Sequence, residues 1–465
     1  MSLIGKLETN KVLILGFGRE GQSTYRFLRK LFPHKRLAIA DKKKLKELDV
    51  KASEIIGSDN NLDIYLGNDY LNKLDLHEIV IKSPGIPYKF DGIRKAKDKG
   101  VGFTSQTKIF FELCKGKIIG ITGTKGKSTT TSLIYHILRT AKVHPVLLGN
   151  IGNPPLDYLE EGDENTLFVF EMSSHQLTDA EKSPHIAIFL NVYPEHLDYY
   201  SSYNEYIKTK ANITKFQSTA DFFIYNKDFP EIEKISKLSE AKKYPFSSRR
   251  KVESGCYIDK RKIYFVVKGQ IEFSFDVRKI PLLGIHNMDN VMAAIIASKV
   301  AGVDFEKLNK AVRSFKPLEG RLETVGVYNS VDFVNDTLAT IPEATIAALE
   351  SFSDRKLTLI LGGFDRGISF DNLGRDLAKR KNVLNVILIG QTAPRIKKSL
   401  KKFKYSGEVY DLGSPKMLEV VRLASKIAVP SSVVLLSPAS TSFDMFKDYE
   451  DRGRQFEDAV KFLRM

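Results

Sequence analysis

The sequence predicts an α/β protein of three domains. These are a Rossmann-like N-terminal domain (1–105), a central P-loop mononucleotide-binding α/β domain (106–317) and a Rossmann-like C-terminal α/β domain (318–465). Three observations lead there. Short apolar runs alternate with segments of helical period along the chain. Two glycine-rich turns each follow an apolar run and open a helical pattern. The length, 465 residues, is about three times the roughly 150 residues of an ordinary domain.

The first segment opens on KVLILGFGREG. Val12–Leu15 reads as a strand, and Gly16, Phe17, Gly18, Arg19, Glu20 and Gly21 form a GxGxxG turn before a helix. A second strand, Leu37–Ala40, ends at Asp41, followed by Lys42. Such a turn holds the diphosphate of a dinucleotide or of another nucleotide equally well. Asp41 reads either as part of that edge or as a helix cap. The third predicted strand, Glu78–Lys82, ends in SPGIP, where Ser83, Pro84 and Gly85 make a turn at the edge at which open α/β sheets bind ligands.

The middle segment carries the strongest signal, KIIGITGTKGKSTTTSLIYHIL. An apolar strand ends in a turn of Gly123, Gly126, Lys127 and Ser128, and Leu133, Ile134, Ile137 and Leu138 then recur at helical spacing. Backbone N–H groups of such a turn close around phosphates, and the helix N-terminus favours the negative charge. Lys127 supplies a point charge for the outer phosphates and Ser128 a hydroxyl for Mg²⁺. The usual first glycine of GxxxxGK[ST] is Ile121 here. A site for ATP or a close relative is expected. Strand Leu167–Phe170 ends at Glu171, and strand Ile186–Leu190 leads into NVYPEHLDYY with His196 and Asp198. Tyr206 and Lys210 fall in a helical stretch. A region of β-type alternation runs to about Lys279, and Asn287 and Asn290 begin another helix. The last segment alternates strands Val331–Val334, Leu357–Leu361, Val386–Ile389 and Val433–Leu436 with helices, a third parallel unit.

Composition bounds the function. The chain is 42% hydrophobic and 28% charged, an ordinary globular balance. No apolar run approaches the about 18 residues that span a bilayer. No export signal is visible, and two cysteines, Cys114 and Cys256, make no disulfide framework, so a cytoplasmic location is expected. The net charge is +16. Its basic residues are dispersed and not interleaved with aromatics, as nucleic-acid binding would need, so a lysine-rich solvated surface is the expectation.

TGTKGKSTT, EMSSHQL, NVYPEHLD, GIHNMDN, GRLE, NDTLAT, GGFDRG and LLSPASTSFDMF occur in the order found in the Mur ligases. The chain resembles that family, ATP-dependent amide-forming enzymes of bacterial cell-wall synthesis, across all three segments. GFGREG, SPGIP and LLSPASTSFDMF are similar to the member that joins D-glutamate to UDP-N-acetylmuramoyl-L-alanine. The resemblance implies a cytoplasmic monomer using ATP and two Mg²⁺ ions, with no nucleic-acid partner and no membrane span. A different acceptor amino acid within the family, or a nucleic-acid-stimulated ATPase, are the competing readings.

Site residues follow from motif positions. The resemblance implies that Lys127 clamps the β- and γ-phosphates and that Ser128 and Glu171 ligate Mg²⁺. It places His196 near a second metal and the UDP-substrate, and makes Lys210 the lysine that is carbamylated in the family. Gly123 to Thr130, Asn287, Asn290, Arg321 and Asp336 are implied for ATP. Gly16, Phe17, Gly18, Asp41, Lys42, Ser83, Gly85 and Asn150 are implied for the UDP-substrate, and Thr340, Arg366, Ser442, Phe443 and Tyr449 for the amino acid. Read alone, Asn287 is equally a helix cap, Arg321 a surface ion-pair partner, and Asp336 and Asn150 turn residues. Two departures stand out: Leu338 replaces the lysine of NDSKAT, and Arg366 the lysine of GGxDK. Arginine keeps the charge in a different geometry, whereas leucine removes a cation.

Overall fold

Apolar runs ending in glycine-rich turns fold as buried parallel strands, and three sheets result. In the computed structural model, residues 2–149, 153–195, 199–282 and 284–463 are described. The first sheet contains β1 (Val12–Leu15), β2 (Leu37–Asp41), β3 (Leu62–Leu66), β4 (Ile79–Lys82) and β5 (Gly102–Thr104), all parallel, in the order β3-β2-β1-β4-β5. The strand expected third is therefore the fourth. β3 escaped the sequence reading because Asp63 interrupts its apolar pattern at a sheet edge. The order reverses direction at β1, so Gly16 and Ser83 end up side by side at the switch point, where ligands enter such sheets.

The second sheet runs β14-β13-β12-β11-β10-β9-β6-β8-β7. Its parallel part consists of β6 (Lys117–Thr122), β7 (Val146–Gly149), β8 (Leu167–Glu171), β9 (Ile186–Phe189), β10 (Phe222–Asn226), β11 (Lys242–Ser247) and β12 (Gly255–Asp259). An antiparallel extension adds β13 (Lys262–Val267) and β14 (Gln270–Asp276) to β12. Ile121 of β6 pairs with Glu171 of β8 on one side and Ile188 of β9 on the other. Three strand ends thus meet where the second glycine-rich turn begins.

The third sheet contains β15 (Glu323–Tyr328), β16 (Val331–Asn335), β17 (Leu357–Gly362), β18 (Val383–Ile389), β19 (Glu408–Asp411) and β20 (Val433–Leu436), in the order β15-β16-β20-β17-β18-β19. The expected parallel unit is present, but β15 pairs antiparallel with β16 through a hairpin at Asn329 and Ser330. The chain divides into two compact units. Met1–Val277 with Asp289–Val312 holds the first two sheets, and Arg278–Met288 with Arg313–Met465 holds the third. No helix among the described residues is long and apolar enough to cross a membrane.

Candidate active site

The glycines of the first turn have separable jobs. Gly16 has φ +91°, and a Cβ there would lie 2.7 Å from Ser83 Oγ. A Cβ on Gly21 would lie 2.0 Å from the Gly16 carbonyl oxygen, so the helix Arg19–Leu31 packs against the turn only without one. Gly18 faces open space, with no protein atom within 4 Å of its Cβ position. Ser83 Oγ donates to Gly16 O at 3.0 Å and ties the two strand ends together. Gly16, Gly18, Asp41, Lys42, Ser83 and Gly85 line one cleft of about 820 Å³, with Arg19, Glu20, Tyr70 and Phe90 among its other walls. Phe17 stands apart from them. Its ring is buried edge-on to Tyr25, and its N–H donates to Asp41 Oδ2 at 2.6 Å. Asp41 Oδ1 accepts from Lys43 N. Its carboxylate braces the glycine turn in place of capping a helix.

The second glycine turn is held from below. Gly126 has φ +84°, and a Cβ on it would strike Asn290 Oδ1 at 2.2 Å, so this loop and Asn290 are packed together. Asn191, at the end of β9, accepts from Lys125 N at 2.8 Å and donates to Lys125 O at 2.9 Å. Thr124 N donates to Asn191 O, and Thr124 Oγ1 meets the Tyr206 hydroxyl at 3.2 Å. Ser128, Thr129 and Thr130 enter the helix Lys127–Thr140, with Thr129 and Thr130 buried.

Two ammonium groups converge on this turn. Lys127 Nζ donates to Gly123 O and Thr124 O, both at 3.0 Å. Lys210, 1% exposed, donates to the same Gly123 O at 2.9 Å and to Thr122 Oγ1 at 3.4 Å. Its ammonium also lies over the Tyr206 ring. Burial, then the nearby Lys127 charge, push the Lys210 pKa well below its ordinary value, against the opposing pull of Glu195 and Glu171. Glu171 is buried, and its Oε2 has no hydrogen-bond partner among the described residues. That is the hard, unsatisfied oxygen a Mg²⁺ ion takes. As an ammonium Lys210 has no lone pair for a metal, and among the described residues no three acidic, His or Cys side chains gather into a metal site. Glu20, Pro84, Gly85, Lys127, Glu195, Tyr206 and Lys210 line a second cleft of about 350 Å³, with His175 and Gln176. His196 and Asn150 lie outside the described residues.

In the other compact unit, Asp336, Thr340, Arg366, Ser442 and Phe443 stand in loops after strands of the third sheet, Arg321 precedes β15, Tyr449 opens the helix Tyr449–Phe462, and Asn287 lies in the helix Ile285–Val300. Asp336 follows β16 and is buried; its Oδ2 accepts from Ser437 Oγ at 2.8 Å. Burial raises its pKa to about 7, while the Ser437 hydrogen bond and Arg321 oppose the rise. Phe364 contacts Phe443 edge-on at 6.4 Å, bringing the Arg366 loop beside that of Ser442. Ser442 is buried, whereas Arg366, Phe443 and Tyr449 are exposed and Thr340 is half-buried. Asn287 is buried one turn before Asn290.

Residues 121–298 match the Mur ligase middle domain and 320–440 the Mur ligase glutamate ligase domain. The UDP-N-acetylmuramoylalanine–D-glutamate ligase of Acetivibrio thermocellus is 36% identical over 98% of this chain and 97% of its own. The Streptococcus mutans protein of the same name is 34% identical over the full length of both. This chain belongs to the Mur ligase family. Two solved Mur ligases of Thermotoga maritima share its fold. UDP-N-acetylmuramate–alanine ligase MurC has a TM-score of 0.59 at 20% identity, covering 98% of this chain and 100% of that one. MurF in complex with ADP has a TM-score of 0.58 at 16% identity, covering both chains fully. Mur ligases use ATP and Mg²⁺.

Two structural contributors to this Mur ligase site were missed in the sequence. Asn191 clasps Lys125 from inside NVYPEHLD, where only the later residues had drawn attention. Arg452, 0% exposed, donates from Nε to Thr337 Oγ1 at 2.9 Å, from Nη2 to Thr337 O at 2.8 Å and from Nη1 to Ser440 O at 3.0 Å. It locks the NDTLAT and SPAST turns together. Nothing local marks it: one arginine in a charged helix reads as surface.

Proposed function

We propose that this Mur ligase joins D-glutamate to UDP-N-acetylmuramoyl-L-alanine in the cytoplasm, as a monomer of three domains (1–105, 106–317 and 318–465). The support is the full-length likeness to ligases of that name at 32–36% identity and the cluster of charges at the phosphate loop. The L-alanyl carboxylate attacks the γ-phosphorus of ATP; the bond to the β-phosphate oxygen breaks, and ADP leaves. The amine of D-glutamate then attacks the acyl phosphate carbon, loses a proton and expels inorganic phosphate.

The physical difficulty is bringing one anion onto another. Two like charges about 4 Å apart repel by about 4 kcal/mol at an effective dielectric of about 20. The observation that carries the reading is that Lys127 and Lys210 both reach Gly123 O: Lys127 would offset the charge where the two anions are proposed to meet, and Lys210 stands beside it. Bound Mg²⁺ would polarise the phosphoryl oxygens, with Ser128 and Glu171 proposed to hold it. Burial and the nearby Lys127 charge lower the Lys210 pKa, which favours the uncharged amine to which CO₂ adds; a carbamate there would exchange the second positive charge for an anionic ligand to a second Mg²⁺. His196 is proposed for that second metal and for the UDP-substrate.

The remaining assignments rest on motif position. Gly123 to Thr130, Asn287, Asn290, Arg321 and Asp336 are proposed for ATP. Gly16, Gly18, Asp41, Lys42, Ser83, Gly85 and Asn150 are proposed for the UDP-substrate, Phe17 contributing only backbone. Thr340, Arg366, Ser442, Phe443 and Tyr449 are proposed for D-glutamate. Leu338 leaves Arg366 as the cation expected to meet the acceptor carboxylate. The deciding assay is ADP release from UDP-N-acetylmuramoyl-L-alanine with D-glutamate against a panel of other amino acids; equal rates with a neutral amino acid would remove the acceptor assignment.

A further inference from the structure

Three residues line both clefts of the first compact unit: Glu20, Pro84 and Gly85. A substrate whose diphosphate rests at the Gly18 turn and whose carboxylate reaches Lys127 and Lys210 must cross them. Proline has no N–H and glycine no side chain, and the Pro84 carbonyl already accepts from the Tyr199 hydroxyl at 3.1 Å. Glu20 is left as the polar side chain at the crossing.

Its two oxygens are used unequally. Oε1 accepts from Gln176 Nε2 at 2.9 Å, while Oε2 is buried with no hydrogen-bond partner among the described residues. The Gln176 amide cannot turn over, because its own oxygen accepts from Ser173 N at 2.9 Å and Ser173 Oγ at 3.1 Å. A buried, unsatisfied carboxylate oxygen costs stability, and at the wall of two clefts a ligand donor can satisfy it. Burial raises the Glu20 pKa, with Gln176, Arg19 and Lys82 opposing.

We propose that Glu20 is a specificity-determining residue for the sugar–peptide part of the nucleotide substrate. Its Oε2 accepts a hydrogen bond from a hydroxyl or amide N–H of the ligand where it passes from one cleft to the other. This inference rests on the proposed UDP-linked substrate.

Glu20→Gln is a near-isosteric test with an inverted outcome. With Gln176 fixed as a donor, the new amide must turn its oxygen to Gln176 and present an NH₂ group to the ligand, donor against donor for a ligand N–H, while a ligand hydroxyl would have to reverse its role and accept. The KM for UDP-N-acetylmuramoyl-L-alanine is expected to rise about 10- to 100-fold in Glu20→Gln and in Glu20→Ala, with competitive inhibition by UDP alone and the KM for ATP changed less than about twofold. An unchanged substrate KM in both variants overturns the proposal, as does a parallel weakening of UDP inhibition, which would signal a disturbed loop. The wild-type enzyme separates the two levels. If it releases no ADP with this substrate, the proposed function fails and this inference with it; if it turns over while the variants match it, only the Glu20 assignment falls.

Discussion

The two glycine-rich loops of the first compact unit share one local plan. Each follows a buried parallel strand, opens a helix and carries a glycine in the left-handed region, Gly16 at φ +91° and Gly126 at φ +84°. They differ in the side chains that hold them. The GFGREG loop is answered by carboxylates, Asp41 on the Phe17 N–H and Glu20 at the cleft wall. The GTKGKS loop is answered by Lys127 and Lys210 on one carbonyl. A loop that merely cradles a diphosphate can tolerate neighbouring carboxylates, since its amides suffice. A loop where an anion must attack a phosphate needs cations.

The strongest way to break this contrast is Lys127→Ala. Activity is expected to fall at least about 10³-fold while the melting temperature stays near wild type; an active variant would remove the cationic account. Lys210→Ala should lose activity nearly as fully and regain part of it with added short-chain carboxylates. An enzyme indifferent to both the substitution and bicarbonate depletion would eliminate the carbamate. Glycine replacements probe the backbones. Gly126→Ala should lose about 2 kcal/mol in urea unfolding, from the left-handed φ and the contact with Asn290. Gly18→Ala, at φ −76° in open space, should leave stability within about 1 kcal/mol and instead raise the substrate KM.

The smallest effect concerns pH. Glu20 has a folded pKa above its unfolded value, so its contribution is fully present below the unfolded pKa and is lost as pH rises through the folded one. Lys210 has a lowered folded pKa, so its contribution is present at high pH and is lost as pH falls through that value. In bicarbonate-free buffer, the stability of Glu20→Gln relative to wild type should therefore improve as pH rises. That of Lys210→Met should improve as pH falls. Matching slopes of one sign in thermal melts would show that the two loops do not differ in charge as described.

Much of this was legible before folding. β1, β2, β4, β6, β8 and β20 lie where apolar runs end in turn residues, and Glu171, Lys127 and Ser83 fall at strand ends or in the turns after them. β3 and β15 were not legible, because edge strands bury one face at most and carry a weak apolar signal. Asn191 and Arg452 were not legible either, since their partners are 66 and 115 residues away.

Strand ends, glycine turns and the order of motifs were written in the chain, because each depends on neighbours a few residues apart and on backbone geometry that only certain side chains permit. Which carboxylate braces which loop, that two lysines share one carbonyl, and that Glu20 stands with an unsatisfied oxygen between two clefts came only with the tertiary structure. Burial and electrostatic environment are properties of what packs around a group, and those neighbours are brought together from distant parts of the sequence.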